Sequence, residues 1–391
     1  MMKPLIENGG IPRPLLITMS VLAGLTVANM YYNQPLLEMM HEDLHISMVQ
    51  ANMITVITQI GYACGLFFVI PAGDLYNRRH IAVVCMSMAA LMLLCITFTT
   101  SVYLIWTASF LLGVCSVIPQ IFMPIAAQFS RPENKSRNMG ILLSGLLCGI
   151  LGSRVISGFV GEWLGWQAMF GIAAVVMLVC MLATLMVLPP MKRNFTGNYP
   201  GLMGSVFRIV ATSPLVRLYS IRSAFGFGSL LALWSCLAFH LAEAPFHAGS
   251  DKVGMLGLCG LASALACTGI GKYLPRYGYH NFSLVGSGLQ LTGWMVALFM
   301  GDTYAGLIIA IILVDVGVQY HQLSGQTACI AQMPSASSRV SAIFMTLFFV
   351  GGSLGTFLAG VGWSHFGWAG VSAVGFAMAL VALLITLVSK K

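Results

Sequence analysis

Two charged residues stand inside long apolar runs, Arg154 in ILGSRVISGF and Asp315 in ILVDVGVQ. A charge in hydrocarbon costs about 3 kcal/mol on insertion scales, so each is expected to face protein or water and to work there. A carboxyl held out of water can load and unload a proton near physiological pH. Asp315 is therefore the expected protonation site, and Arg154 is expected to bind substrate or to modulate that acid. Asn29, Tyr32 and Asn33 fall at i, i+3 and i+4, which is one face of a helix. An amide-rich face is costly against lipid, so this one is expected to point into a cavity. Gln34 and Pro35, nearer the end of the same run, are expected only to shape an exit. Gln120 lies between Pro119 and Pro124, where freed carbonyls and a kink suit a moving helix. Gln319, His321 and Gln326 add polarity beyond Asp315, and Trp234 is placed to stack on a substrate. Taken as a set, these residues predict a binding cavity. His240, Glu243 and His247 are too few for a metal site, and no metal or cofactor is expected.

The elements that position these residues are long apolar helices. Of the 391 residues, 58% are hydrophobic and 8% charged, against about 25% charged in soluble domains. Such a chain cannot clothe a soluble surface, and it is too apolar for disorder. Crossing a bilayer takes about 20 apolar residues as helix. Twelve runs of that order occur, near 14–38, 47–72, 79–99, 102–129, 138–161, 165–188, 214–241, 252–274, 280–300, 303–331, 340–362 and 366–388. Asp315 falls about 12 residues into the tenth run, roughly 18 Å from its end.

Charge placement orients the spans. Seventeen of the 19 basic residues, Arg222 among them, are assigned to the side that carries both termini. The opposite loops hold Glu38, Glu42, Asp43, Glu162, Glu243, Asp251 and Asp302. The positive-inside rule then makes both termini cytoplasmic. No basic cluster reaches five residues, so the net charge of +8 does not point to nucleic acid.

The chain also repeats itself. Ala127-Gln128 followed by Arg137 returns as Ala331-Gln332 followed by Arg339, and Gly161 through Trp166 returns as Gly362-Trp363 and Gly367-Trp368. Gly145 with Gly149, and Gly351-Gly352 with Gly355, are spaced for close helix contact. The expected organisation is an N-terminal six-helix bundle over 1–188, a cytoplasmic linker over 189–213 and a C-terminal six-helix bundle over 214–391.

This arrangement resembles the major facilitator superfamily over essentially the whole chain. Its signature loop is matched by Gly73-Asp74-Leu75-Tyr76-Asn77-Arg78-Arg79, with Leu75 and Asn77 departing from the usual arginine and glycine. Val27 through Pro35, Trp234 through Phe246, Val314 through Gln319 and Gly351 through Gly355 are similar to a bacterial branch of efflux permeases. The drug–proton antiporter motifs are met with two departures. Ser109 stands where that group has an arginine, and Arg154 where it has a helix-kinking proline. The resemblance implies that the tenth helix lines a central cavity and the fifth the interface between halves. It further implies a cytoplasmic latch of Asp74, Arg78 and Arg79, with Arg131 and Arg137 as partners for the acid.

The expected fold is an all-α membrane protein with twelve transmembrane helices in two pseudo-symmetric six-helix bundles. The expected function is a secondary active transporter of a small organic compound, working as proton-coupled efflux. Its partners would be that substrate, protons and the lipid bilayer of a bacterial inner membrane, and the chain would be a monomer. A sugar or metabolite permease, as symporter or uniporter, is the runner-up. An enzyme is not expected, and no G-x-x-x-x-G-K-[ST] phosphate-binding loop of a primary pump occurs.

Overall fold

Hydrocarbon offers backbone groups no hydrogen-bond partners, so apolar runs of this length must fold as helices. The computed structural model describes residues 5–189, 198–260, 273–333 and 336–389, and no strand occurs among them. The helices are α1 (Arg13–Ala28), α2 (Leu37–Asp43), α3 (Met48–Cys64), α4 (Ile70–Leu75), α5 (Arg78–Phe98), α6 (Val102–Cys115) and α7 (Ile118–Phe129). They continue with α8 (Lys135–Leu164), α9 (Trp166–Val187), α10 (Tyr199–Thr212), α11 (Pro214–Ala242) and α12 (Ser250–Leu256). The last three are α13 (Leu274–Met300), α14 (Tyr304–Gln332) and α15 (Ser337–Val388).

Among the described residues, nine helical stretches are long and apolar enough to cross a membrane. They coincide with predicted spans two to seven, nine and ten, with eleven and twelve joined in α15. The first span is shorter because α1 ends at Ala28. The eighth lies mostly outside the described residues. Among the described residues the molecule has the all-α membrane architecture of two bundles that the sequence predicts.

Local chemistry sets the boundaries. Ser47 caps α3 by accepting from Gln50 N, while Ser47 N donates to Gln50 Oε1, a reciprocal pair that satisfies two terminal groups. Span four is split at Ser116–Val117, two residues before Pro119, which is tolerated in the first turn of α7 because its missing N–H would have no partner there. Span two carries one π-helical turn at Gly65–Val69, just before Pro71. On α5, Ala82, Met86, Ala89 and Leu93 are buried while Val84, Leu91 and Phe98 are exposed. Exposed apolar side chains of this kind carry no penalty when the surrounding solvent is lipid.

The two bundles repeat in detail. Gly24 of α1 lies against Gly145 and Gly149 of α8, and about 205 residues later Gly228 of α11 lies against Gly351 and Gly355 of α15. Gly165 turns the chain between α8 and α9 at φ 85°, and Gly367 turns α15 back on itself at φ 56°. Both angles fall where a Cβ would clash, which is why the repeated Gly-Trp pairs begin with glycine. One buried cluster lies wholly within 15–188, and a second is built mainly from residues after 206.

At Gly149 an added side chain meets the Gly24 backbone, which cannot rotate away. Gly149→Leu is expected to cost more than the usual overpacking penalty of about 1–3 kcal/mol. Fluorescence-detected size-exclusion should show loss of the monodisperse peak.

The linker is not featureless. Asn198 caps α10 by accepting from Gly201 N (3.0 Å), Tyr199 Oη donates to Phe68 O (2.8 Å), and Phe207 packs on Phe67 with ring centres 5.4 Å apart. α10 thus straps the end of span two on the face that carries the termini. Residues 190–197 lie outside the described residues.

On the opposite face the bundles are joined. Asn52 Nδ2 donates to Thr356 O (2.6 Å), and Thr356 Oγ1 donates to Gln59 Oε1 (3.3 Å). Trp363 Nε1 meets Met48 Sδ at 2.8 Å. Ser250 of α12 donates its hydroxyl to Gly158 O of α8 (2.8 Å) and its N–H to Glu162 Oε2 (3.1 Å).

Candidate functional site

The site begins where the first span stops being an α-helix. Pro35 has no N–H to return to Tyr31, so the Tyr31 carbonyl accepts from Gln34 N (3.3 Å) and a 3-10 turn follows at Gln34–Leu36. Three residues per turn bring i and i+3 into line. Tyr31 and Gln34 therefore share a face, which is not the face predicted from α-helical spacing.

Arg154 projects from the uninterrupted α8 into that face. Its Nε donates to Gln34 Oε1 (2.9 Å), and its guanidinium lies 4.2 Å from the Trp234 ring centre and 4.8 Å from that of Tyr31. Each cation–π contact is worth about 0.5–2 kcal/mol when desolvated. Asp315 stands beside them, and the groups that interact with its carboxyl are Arg154, Tyr31 and Trp234. It also borders Gly260, where a Cβ would come within 3.5 Å of Oδ2. Arg154 is 5% exposed and Asp315 7%. Arg154 comes from α8, Tyr31 and Gln34 from the first span, Trp234 from α11 and Asp315 from α14. The cluster thus sits where the two bundles meet. Gln34 Nε2 is buried and has no hydrogen-bond partner, while the Trp234 indole N–H faces the Asp315 carboxyl.

Of the predicted site residues, the structure brings together Arg154, Asp315 and Trp234. It does not bring Asn29 and Tyr32 to them. Asn29 Nδ2 donates to Met177 Sδ (3.2 Å), and Tyr32 packs in the N-terminal core near Cys180. Asn33 is buried with its Oδ1 unpartnered. Gln120 is half-buried near Tyr62 and lines a cavity with Arg78 and Arg339 on the terminal face. Gln319 is half-buried on α14. His321 is fully buried inside the C-terminal bundle, packed on Gly226 and Gly286 with Nε2 against Ser287 Oγ (3.2 Å). Its own bundle holds it, not the inter-bundle cluster. His240 meets Gly301 O (3.0 Å) and stacks on Trp368 at 4.0 Å.

Tyr31 and Gln34 are the members that sequence reasoning missed. The one available signal was Pro35, which forbids the α-helical bond that would have kept the predicted phase. Arg222 was also misassigned. It is not a loop charge but lies inside α11 with 0% exposure.

Around the signature loop, the Asp74 side chain lies outside the described residues. Arg78 is buried, donating to Gly73 O and to Gln128 Oε1 (3.2 Å each). Arg79 donates to Leu185 O and Arg131 to Gly9 O (3.3 Å), whereas Arg137 is exposed. Each of these bonds stays within the N-terminal bundle.

On the face away from the termini, Glu38, Glu42, Glu162 and His247 line a cavity of about 320 Å³ between the bundles. Glu38 belongs to α2, beyond the first span. Burial pushes its carboxyl up to about 7, with His41 opposing and Glu42 and Glu243 adding to the rise. A raised carboxyl means that the folded state holds a proton the unfolded state has lost, from about pH 4.3 to 7. Stability is thus expected to fall as pH rises through that window. The Tm of Glu38→Gln, followed from pH 5 to 8, should decline less than that of the parent.

The Major Facilitator Superfamily profile matches residues 19–356. Uncharacterized transporter YgaY of Escherichia coli O157:H7 is 34% identical over 371 residues, covering 95% of this chain and 94% of that one. Inner membrane transport protein YnfM of Escherichia coli K12 is 25% identical over 381 residues, covering 96% and 91%. Among solved structures, nucleoside transporter NupG superposes with a TM-score of 0.73 at 13% identity, covering 96% of this chain and 98% of that one. At that identity the likeness concerns the fold.

Proposed function

Because this chain belongs to the Major Facilitator Superfamily, and is thus a membrane transporter, we propose that it exports a small organic compound in exchange for protons. The observation that carries the reading is the cluster of Arg154, Tyr31, Gln34, Trp234 and Asp315 between the bundles. Alternating access needs a site that both halves share, and in transporters of repeated architecture such sites lie near the midplane at the repeat interface. Asp315 is the only acid of the cluster. Protonating it removes the counter-charge of Arg154, leaving the guanidinium to Gln34 and the two rings. The cluster then has a free donor at Gln34 Nε2, joined by the Trp234 N–H once the Asp315 carboxylate it faces is neutralised, with which to hold an acceptor on the substrate.

In this reading residues 1–188 and 214–391 rock as two bodies joined by 189–213, with α10 as a strap. The crowding of basic residues on the terminal face supports a cytoplasmic location for both termini. The face joined by Asn52, Ser250 and Trp363 is then the outer one, closed to the exterior. The name of YnfM, an inner membrane protein, supports the same membrane for this chain. The latch around Asp74 and a monomeric state complete the proposal.

The test is a thermal-shift screen of small organic compounds on purified protein, followed by transport of the hits in proteoliposomes. Export coupled to protons requires substrate flux opposite to an imposed pH gradient. Flux in the same direction as the protons would make the protein a symporter, and flux indifferent to the gradient would remove proton coupling.

A further inference from the structure

A second buried cation lies well away from this site. Arg222 is 12 residues before Trp234 on α11, roughly 18 Å along the helix axis. It is 0% exposed, its Nε and Nη2 have no hydrogen-bond partner, and the Tyr219 ring covers one side of the guanidinium at 4.7 Å. A guanidinium cannot shed its proton to escape this situation. Elsewhere in such bundles an intramembrane charge is paired, and an unpaired one is expensive.

The neighbours of Arg222 supply donors but no described carboxylate. His321 interacts with it electrostatically, is itself 0% exposed, and has Nδ1 without a partner. Ser287 holds His321 at Nε2 (3.2 Å), and Ser223 donates to the His321 carbonyl (3.0 Å). With the Ser287 hydroxyl donating to Nε2, the ring carries its proton on Nδ1. Three N–H groups, Arg222 Nε and Nη2 and His321 Nδ1, are then donors lacking an acceptor. The described acids of this bundle lie elsewhere. Glu243, Asp251 and Asp302 are at the opposite face, and Asp315 is held in the inter-bundle cluster.

We infer that Arg222 and His321 form a binding site for a small monovalent inorganic anion, chloride being the common one, inside the C-terminal bundle. The anion supplies the missing counter-charge and accepts from donors that no protein group satisfies. The site is separate from the substrate cluster, so it makes no demand on the transport reading. It makes the stability of the C-terminal bundle depend on anion concentration.

The experiment is a thermal-unfolding series on purified full-length protein, titrating sodium chloride against sodium gluconate at constant ionic strength. Chloride is expected to raise Tm by about 2 °C or more in a saturable manner. Arg222→Gln should abolish the increment, and Arg222→Lys, which keeps the charge but loses the fork, should shift it to higher chloride. If Arg222→Gln does not fold, His321→Gln must weaken the chloride midpoint instead. Asp315→Asn should leave the increment intact, which separates this site from the transport site. Equal Tm values in chloride and gluconate would overturn the proposal, with water then satisfying the donors. So would a full increment in the Arg222→Gln variant.

Discussion

Asp315→Asn is expected to abolish transport driven by an imposed pH gradient while the protein still folds and exchanges substrate. The substitution keeps the shape and hydrogen-bonding capacity of the side chain but removes the proton. A gradient of two pH units stores about 2.7 kcal/mol per proton, enough for a roughly 100-fold substrate gradient at one proton per cycle. Proteoliposomes containing the variant should show none of that accumulation, whereas substrate counterflow, which needs no net proton movement, should persist. Gradient-driven accumulation equal to that of the parent would sink the assignment. Arg154→Gln provides the companion measurement. Because Arg154 and Asp315 interact, the double variant should depart from additivity by about 0.5–3 kcal/mol in ligand-binding free energy.

The second large effect concerns the closed outer face. Gly158 of α8 faces α12, where an added Cβ would meet Ser250 O and come within 3.0 Å of Gly254 Cα. Both obstacles are backbone, so Gly158→Leu must push the bundles apart at that end. Overpacking of about 1–3 kcal/mol, borne only by the closed state, moves a two-state equilibrium roughly 5- to 150-fold toward opening. Spin labels replacing the exposed His45 and His365, on a cysteine-depleted background, should report a longer distance population in Gly158→Leu than in the parent. An unchanged distribution would mean that this contact does not define the closed state.

The same glycines show how far the sequence carried. Gly145 and Gly149, with Gly351 and Gly355, were readable as close-contact positions because spacing by four lies along one helix face whatever the partner helix is. The Gly-Trp pairs were readable as a repeat, and only the structure showed that Gly165 and Gly367 make the turns, at φ 85° and 56°. The intramembrane charges Arg154 and Asp315 were readable because their cost in lipid is large and independent of fold. Their convergence was not readable. They come from α8 and α14, and sequence distance carries no information about two helices that meet only when the bundles pack.

The errors have a common origin. Asn29 and Tyr32 were placed on a cavity face by assuming 3.6 residues per turn through a segment that tightens before Pro35, and the tightening puts Tyr31 and Gln34 there instead. Arg222 was counted as a loop charge because it lies near one end of an apolar run, yet eight residues of helix carry it about 12 Å inward. His321 was placed in the cavity because its helix carries Asp315, while its ring turns to Gly286 and Ser287 of α13.

By itself the sequence determined the solvent, the all-helical architecture, the internal repeat and the two charges that lipid would not tolerate. Each follows from transfer free energies that accumulate residue by residue. Tertiary structure alone decided which polar face of each helix meets the other bundle, that Arg154 lies between two aromatic rings, and that Arg222 has no described counter-charge. Those outcomes depend on helix phase and on which neighbour reaches a polar atom first, and packing settles both.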